Sequence, residues 1–313
     1  MVMTRRITRG VLVALILAVG GALVRAQSFT PMPQNPPREF GASITPAFEG
    51  WYENADGTHT FLIGYYSRNT VGEVDVPIGP NNRFEPGEPD RGQPTHFLTS
   101  RRYGMFTVTV PKEFTKTQKL TWTLTANGQT FSVPFYMHPN YNVSPFQSSE
   151  QGAHGYNTPP RLRLDLNGTA FAGPIANSQS AIGRTATAGE PMALDVWADD
   201  DARYSTATSV PIDPAKPRPP VTLLLSKYRG PGSVTFADSR PKLETLTGGK
   251  PDVPYAGKAS TTVKFGQPGD YMLHVMANDY SGNGGGGSVC CWTTAIVRVS
   301  VRGSSPNPTV EGR

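Results

Sequence analysis

Apolar and polar residues alternate along much of the second half of the chain. A period of two is found in four segments, at 162–166, 192–196, 271–277 and 297–302. Side chains at every second position share one face of a strand, so each segment predicts a half-buried β-strand. Residues 221–225 are instead predominantly apolar, which is consistent with a strand covered on both faces.

Short apolar runs in the first half are separated by turn sequences. Asp-Gly at 56–57 and Asn-Gly at 127–128 lie between such runs. Both dipeptides favour tight hairpin turns because glycine tolerates a positive φ, so we predict hairpins at 51–66 and 120–135. Residues 76–96 are rich in proline and glycine and predict a long surface loop.

Composition disfavours helices throughout the chain. Glycine (33) and proline (30) are abundant among the 313 residues, and no window keeps a helical period for three turns. The length allows two hydrophobic cores. We therefore predict an all-β fold with two β-sandwich domains. The first domain is placed at 41–143 and the second at 161–302. A linker at 144–160 separates them, and a polar tail follows at 303–313.

The N-terminus has the pattern of a signal peptide. Arginines precede an apolar run at 11–24, which ends in Val24-Arg25-Ala26. A charged region, an apolar region and a small residue at the cleavage site predict a signal peptide at 1–26, and the run is shorter than a membrane helix needs. A proline-rich leader at 27–40 would follow. We expect a periplasmic or extracellular protein with no transmembrane segment after cleavage.

The net charge of +5 does not indicate an acidic partner. Four of the 29 basic residues lie in the predicted signal peptide, and none of the 24 acidic residues does. The mature chain is therefore close to neutral. A nucleic-acid partner has no electrostatic support.

The C-terminal half contains motifs of a known domain type. A Pro-Gly turn at 268–269 leads into a predicted strand beginning at Tyr271, and an Asn-Asp loop follows at 278–279. An Ala-Gly-Glu-Pro segment at 188–191 precedes another predicted strand and its acidic loop. These features resemble bacterial Ig-like and PKD-like domains, and the resemblance implies a β-sandwich over 161–302. The insert at 203–218 departs from the compact pattern. The N-terminal half resembles no named family.

Two adjacent cysteines form the most unusual motif. Cys290 and Cys291 precede Trp292 and are the only cysteines of the chain. Consecutive Cα atoms lie about 3.8 Å apart, below the usual 4.4–6.8 Å of a disulfide, so a bond between them would be strained and easily reduced. Three interpretations stay open: a structural clip, a ligand or partner surface, and redox or soft-metal chemistry.

Acidic residues in two loops suggest a second site. Asp199, Asp200 and Asp201 follow one predicted strand, and Asn278 and Asp279 follow another. Loops at one end of a sandwich can converge, and Ca²⁺ prefers several oxygen ligands. The alternative is a solvated polar loop without metal.

One strand also combines thioether and imidazole groups. Met272, His274 and Met276 share a face if the period of two holds, and these groups suit copper. Methionine is also a common gap-filler between sheets, which is the alternative.

No catalytic motif was found. The chain lacks a Gly-x-Ser-x-Gly elbow, a phosphate-binding loop, a dinucleotide fingerprint and a zinc-protease helix. This favours an exported non-catalytic binding or structural module of the cell envelope or secreted fraction, whose partner is a protein or a glycan. One alternative is a periplasmic metal- or redox-linked accessory protein using the cysteine pair. The other is a carbohydrate-active or carbohydrate-binding protein, with aromatic residues near Trp51 and Tyr66 stacking on sugar.

Overall fold

A computed structural model of the chain describes six ranges of residues: 36–146, 157–174, 180–202, 219–246, 255–279 and 291–303. The predicted signal peptide, most of the leader and linker, the insert at 203–218 and Cys290 lie outside the described residues. The fold is all-β, with several sheets in a β-sandwich-like arrangement, which confirms the expected fold class. No helix of the described part is long and apolar enough to cross a membrane.

The first half of the described chain forms three small sheets. Its strands are β1 (Ile44–Glu53), β2 (His59–Ser67), β3 (Val74–Asp75), β4 (Asn82–Glu85), β5 (His96–Phe97), β6 (Ser100–Val110), β7 (Leu120–Ala126) and β8 (Gln129–Phe135). The strand orders are β1-β2-β6, β4-β7-β8 and β3-β5. A short 3₁₀ turn, η1 (Pro139–Tyr141), follows the last strand.

Both predicted hairpins are confirmed. β1 pairs antiparallel with β2, and β7 with β8. Asn127 and Gly128 connect β7 to β8 with φ values of 50° and 74°, the conformation that this dipeptide favours. The sequence between the hairpins differs from the expected surface loop, because it contains β4, which pairs with β7. The fully buried Asn82 of β4 organises this stretch, since its Nδ2 donates to Val76 O (2.9 Å) and Pro94 O (2.8 Å).

The second half forms two larger sheets. Its strands are β9 (Arg161–Arg163), β10 (Phe171–Ala172), β11 (Ala181–Thr187), β12 (Met192–Asp200), β13 (Thr222–Arg229), β14 (Val234–Phe236), β15 (Glu244–Thr245), β16 (Tyr255–Phe265), β17 (Gly269–Asn278) and β18 (Trp292–Arg302). One sheet has the order β10-β9-β12-β16-β14, with β15 also paired to β16, and the other has the order β11-β18-β17-β13.

The sheet β11-β18-β17-β13 is covered on both faces. Leu223 and Leu225 of β13 pack in a core with β12 and β16. Leu224 and Tyr228, on the other face, join the core of the first half. From Leu223 to Tyr228, β13 is therefore buried on both sides, as the apolar pattern predicted, whereas Thr222 at its start is exposed. Burying each such leucine contributes about 2 kcal/mol.

The two halves meet along the end of β13. Arg229 binds Asp90 with two hydrogen bonds, Nη1 to Oδ2 and Nη2 to Oδ1, each of 2.8 Å. The backbone N–H of Thr95 donates to Tyr228 O at 3.1 Å. Within the described residues, no named strand of one half pairs with a strand of the other. The halves nevertheless share one hydrophobic core. Both belong to one compact unit, Pro37–Arg313. The predicted domain bounds stay a prediction.

Candidate functional site

A polar pocket of about 550 Å³ lies where the two halves meet. Its walls come from β3, β5 and the start of β6 on one side, and from β13, β14 and the residues around β14 on the other. We call it the junction pocket. Its polar residues are Glu73, Asp75, His96, Arg102, Ser226, Lys227, Ser233, Ser239 and Arg240.

A histidine between two carboxylates forms one wall of the junction pocket. His96 Nδ1 lies 2.9 Å from Asp75 Oδ1, and His96 Nε2 lies 2.9 Å from Glu73 Oε2. Lys227 Nζ also donates to Asp75 Oδ1 at 3.1 Å. Both ring nitrogens of His96 are thus engaged, so it has no free nitrogen to act as a general base toward a ligand.

The contacts in this wall favour the ionised forms of His96, Glu73 and Asp75. Burial by itself lowers the pKa of His96, but the hydrogen bonds to Asp75 and Glu73 outweigh it and raise that pKa above its usual 6.5. The hydrogen bond from His96 lowers the pKa of Glu73. Burial raises the pKa of Asp75, but His96 and Lys227 outweigh burial and lower it. These contacts therefore favour the protonated form of His96 between the two carboxylates.

Two arginines give the junction pocket an excess of positive charge. Arg102 Nε donates to Thr99 O at 2.9 Å, and neither Arg102 nor Arg240 forms a salt bridge within the described chain. Burial lowers the pKa of Arg102, and the charge of Arg240 lowers it further. Glu73 lines the same pocket, and its charge acts on Arg102 in the opposite direction. Two arginines that line one pocket without a salt bridge in the described residues favour an anionic ligand.

A buried hydroxyl adds to this site. Ser226 is 5% exposed and its Oγ has no hydrogen-bond partner among the described residues. A buried unsatisfied hydroxyl costs about 1–3 kcal/mol, and a ligand that bonds to it would recover part of that cost. Phe236 contributes an apolar surface to the same pocket.

The predicted cysteine motif lies elsewhere and is buried where it is described. Cys291 is fully buried, with its Sγ 3.4 Å from Asn157 O. Trp292 is 1% exposed and belongs to the core of the first half. Burial of both side chains agrees with the structural interpretation more than with an accessible ligand surface. Cys290 lies outside the described residues, so the disulfide and its redox role stay predictions.

The four predicted calcium ligands lie in different environments: Asp199 and Asp201 bind other residues, whereas Asp200 and Asp279 are buried. Asp199 binds arginines, with Arg163 Nη2 at 2.6 Å and Arg161 Nη2 at 3.5 Å from its Oδ2. Asp200 and Asp279 are both buried, at 4% and 5% exposure. Asp201 Oδ2 accepts hydrogen bonds from the backbone and hydroxyl of Thr158. Within the described ranges, no group of three His, Cys, Asp or Glu side chains is placed to hold a metal.

The face predicted for copper packs against the first half. Met276 and His274 are buried, and Met272 packs against the same core. The His274 ring stacks on Tyr228, with centroids 5.6 Å apart. Burial lowers the pKa of His274 to about 4, so its ring is neutral at pH 7. The three side chains are buried or packed against the core of the first half, and the copper hypothesis stays a prediction.

Sequence reasoning missed the junction pocket. Its residues come from four separate segments, 73–75, 96–102, 224–227 and 231–240, and no motif or spacing connects them. Segments this far apart along the chain form no local pattern from which the pocket could be predicted.

Comparison with known proteins does not identify a family. No protein-family profile matches the sequence, and no curated protein matches it. Among solved structures, the chain is similar to the adhesin InvE of Yersinia pseudotuberculosis, with 10% identity, a TM-score of 0.21 and coverage of 86% of this chain and 61% of that one. It therefore spans less than two thirds of the InvE chain.

Two further structures show similarity at the same level. Domains 4 and 5 of the S-layer protein SbsC match with 11% identity, a TM-score of 0.21 and coverage of 83% and 98% of the two chains. A protein of unknown function from Porphyromonas gingivalis W83 matches with 10% identity, a TM-score of 0.23 and coverage of 82% and 99%. Scores this low do not establish a shared fold.

Proposed function

We propose that this chain is an exported, non-catalytic binding module of the cell envelope or the secreted fraction, and that it binds an acidic saccharide in the junction pocket. The single observation that supports this most is the pair Arg102 and Arg240, which face one pocket without a salt bridge in the described chain. Guanidinium groups bind carboxylates with two parallel hydrogen bonds.

The remaining groups of the pocket suit the hydroxyls of a sugar. Glu73 and Asp75 are acceptors, and the Ser226 hydroxyl can donate and accept. A volume of about 550 Å³ lies within the range of small-ligand pockets. Because His96 has both nitrogens engaged, the site favours binding over proton transfer.

Titration calorimetry with D-glucuronate and N-acetylneuraminate tests the proposal, with D-glucose as the neutral control. We expect an acidic sugar to bind and glucose not to bind. Arg102→Gln and Arg240→Gln should each weaken binding about 10- to 100-fold, because each removes a charge-assisted hydrogen bond.

Arg298→Gln is the matched control, because Arg298 is exposed on β18 and does not line the pocket. It should bind like the wild type. If neither acidic sugar binds at about 10 mM, or if both pocket variants bind as tightly as Arg298→Gln, the proposal is wrong. Circular dichroism of each variant excludes unfolding as the cause of a loss.

A further inference from the structure

Two buried carboxylates lie at the ends of two strands in the opposing sheets of the second half. Asp200 ends β12 on the face that Val196 and Ala198 direct into the core, and Asp279 directly follows β17 of the opposing sheet. They are 4% and 5% exposed. Hydrogen bonds from residues 157–158 place these two strand ends side by side.

A short segment ties the two strand ends together. Asn157 Nδ2 donates to Asp279 Oδ2 at 2.6 Å. The next residue, Thr158, donates through its backbone N–H and its hydroxyl to Asp201 Oδ2, each at 3.0 Å. The amide of Asn157 is thus held directly against the Asp279 carboxylate.

Two buried oxygen atoms at this place lack a partner. Asp200 Oδ1 and Asn157 Oδ1 accept no hydrogen bond from the described residues, and Asn157 is only 2% exposed. Asp200 also forms no salt bridge within the described chain. An uncompensated buried carboxylate is costly, and buried charges are normally paired or coordinate a metal.

We propose that Asp200, Asp279 and Asn157 hold a Ca²⁺ ion at these strand ends. The three side chains supply two carboxylates and one amide oxygen, which are the hard ligands that Ca²⁺ prefers, and backbone carbonyls and water complete its coordination. The ion would bond to both oxygens that lack a partner and would neutralise the repulsion between the acids. Asp199 and Asp201, which the sequence also suggested, are engaged with arginines and with Thr158 and are not ligands in this site.

Equilibrium dialysis of the mature protein against CaCl₂, after removal of metals with EDTA, tests the site. We expect one Ca²⁺ per chain with a Kd of about 10⁻⁴–10⁻³ M, the range of extracellular calcium modules. A thermal midpoint that rises with calcium concentration should accompany binding.

Asp200→Asn and Asp279→Asn should each weaken calcium binding at least about tenfold, because each removes one of two ligand charges. Asp195→Asn is the matched control: it removes a carboxylate from the same strand on the opposite, partly exposed face, where Asp195 pairs with Lys258. This variant should bind calcium like the wild type.

Two outcomes would overturn the proposal. One is a wild-type protein that binds no calcium at about 10 mM, and this outcome remains decisive even if the ligand variants do not fold. The other is a folded Asp200→Asn protein with unchanged calcium affinity. In either case the calcium site would be rejected.

Discussion

The indole of Trp292 lies directly against the backbone of Gly104. A Cβ added at Gly104 would lie 2.1 Å from Trp292 Cζ2, and Gly104 has a φ of +51°. Trp292 begins β18 in the second half, while Gly104 belongs to β6 in the first half. The two halves can approach each other this closely only because residue 104 has no side chain.

Replacing Gly104 with alanine should therefore destabilise the protein by about 3 kcal/mol or more, because the methyl group overlaps a fully buried ring and the φ becomes strained. Gly128→Ala is the control, since Gly128 also has a positive φ (+74°) but nothing within 4 Å of the added Cβ. It should cost about 1 kcal/mol. Urea denaturation compares the free energies of unfolding, and equal losses would contradict the packing argument.

Substitution of Asn82 should lower the free energy of unfolding more than substitution of most other polar residues. It is fully buried, donates to Val76 O and Pro94 O, and accepts a hydrogen bond of 2.9 Å from Trp122 Nε1. Asn82→Ala leaves three buried groups without partners and should cost roughly 2–4 kcal/mol of unfolding free energy. The neighbouring Asn81 is exposed, so Asn81→Ala should change stability by less than about 0.5 kcal/mol. Similar losses in the two variants would show that the network does not hold this segment.

The contact of Arg229 with Asp90 should be worth more than an ordinary surface ion pair. It is bidentate, and the hydrogen bonds from Arg229 lower the pKa of Asp90. A double-mutant cycle with Arg229→Ala and Asp90→Ala should give a coupling energy of about 1 kcal/mol. The single-contact pair Arg184–Asp165 is the reference and should give less than about 0.5 kcal/mol. A coupling no larger than the reference would show that the pair does not help to join the halves.

The His96 cluster should make stability depend on pH. Because the pKa of His96 is raised on folding, its stabilisation is complete below the unfolded value near 6.5 and is lost as the pH rises through the folded value. The pKa values of Glu73 and Asp75 are lowered, so their stabilisation is lost as the pH falls through the folded carboxyl values. Stability from this cluster should therefore be greatest at about pH 5–6.

Urea denaturation at about pH 5.5, 7 and 8.5 should show that the free energy of unfolding of the wild type declines as the pH rises. The decline should be smaller for His96→Gln. His138→Gln, at an exposed histidine, should keep the decline of the wild type. A wild-type decline that persists unchanged in His96→Gln would assign the pH dependence to another group.

Local patterns predicted the features that depend on local forces. The turn at Asn127 and Gly128 follows from the φ preferences of two adjacent residues. The doubly covered part of β13 follows from a predominantly apolar run, which favours burial on both sides. The stretch at 76–96 was harder to predict, because its order depends on Asn82, whose hydrogen-bond partners lie in other segments.

The candidate sites likewise combine features that local patterns predict with features that depend on distant residues. The acidic loops at 199–201 and 278–279 were visible in the sequence, but their separate roles depend on Arg163, Thr158 and Asn157, which lie far away along the chain. The junction pocket had no signal at all, because Arg102 and Arg240 become neighbours only through the packing of the two halves.

The all-β class, the two hairpins and the strand with two buried faces could be predicted from local patterns, because alternation, turn dipeptides and apolar runs involve residues close in the chain. The folded chain was needed to show that Trp292 fills the space beside Gly104, that the halves share a core, and which charged residues line one pocket. These features depend on the register and packing of sheets, which are set by the sum of many contacts between distant segments.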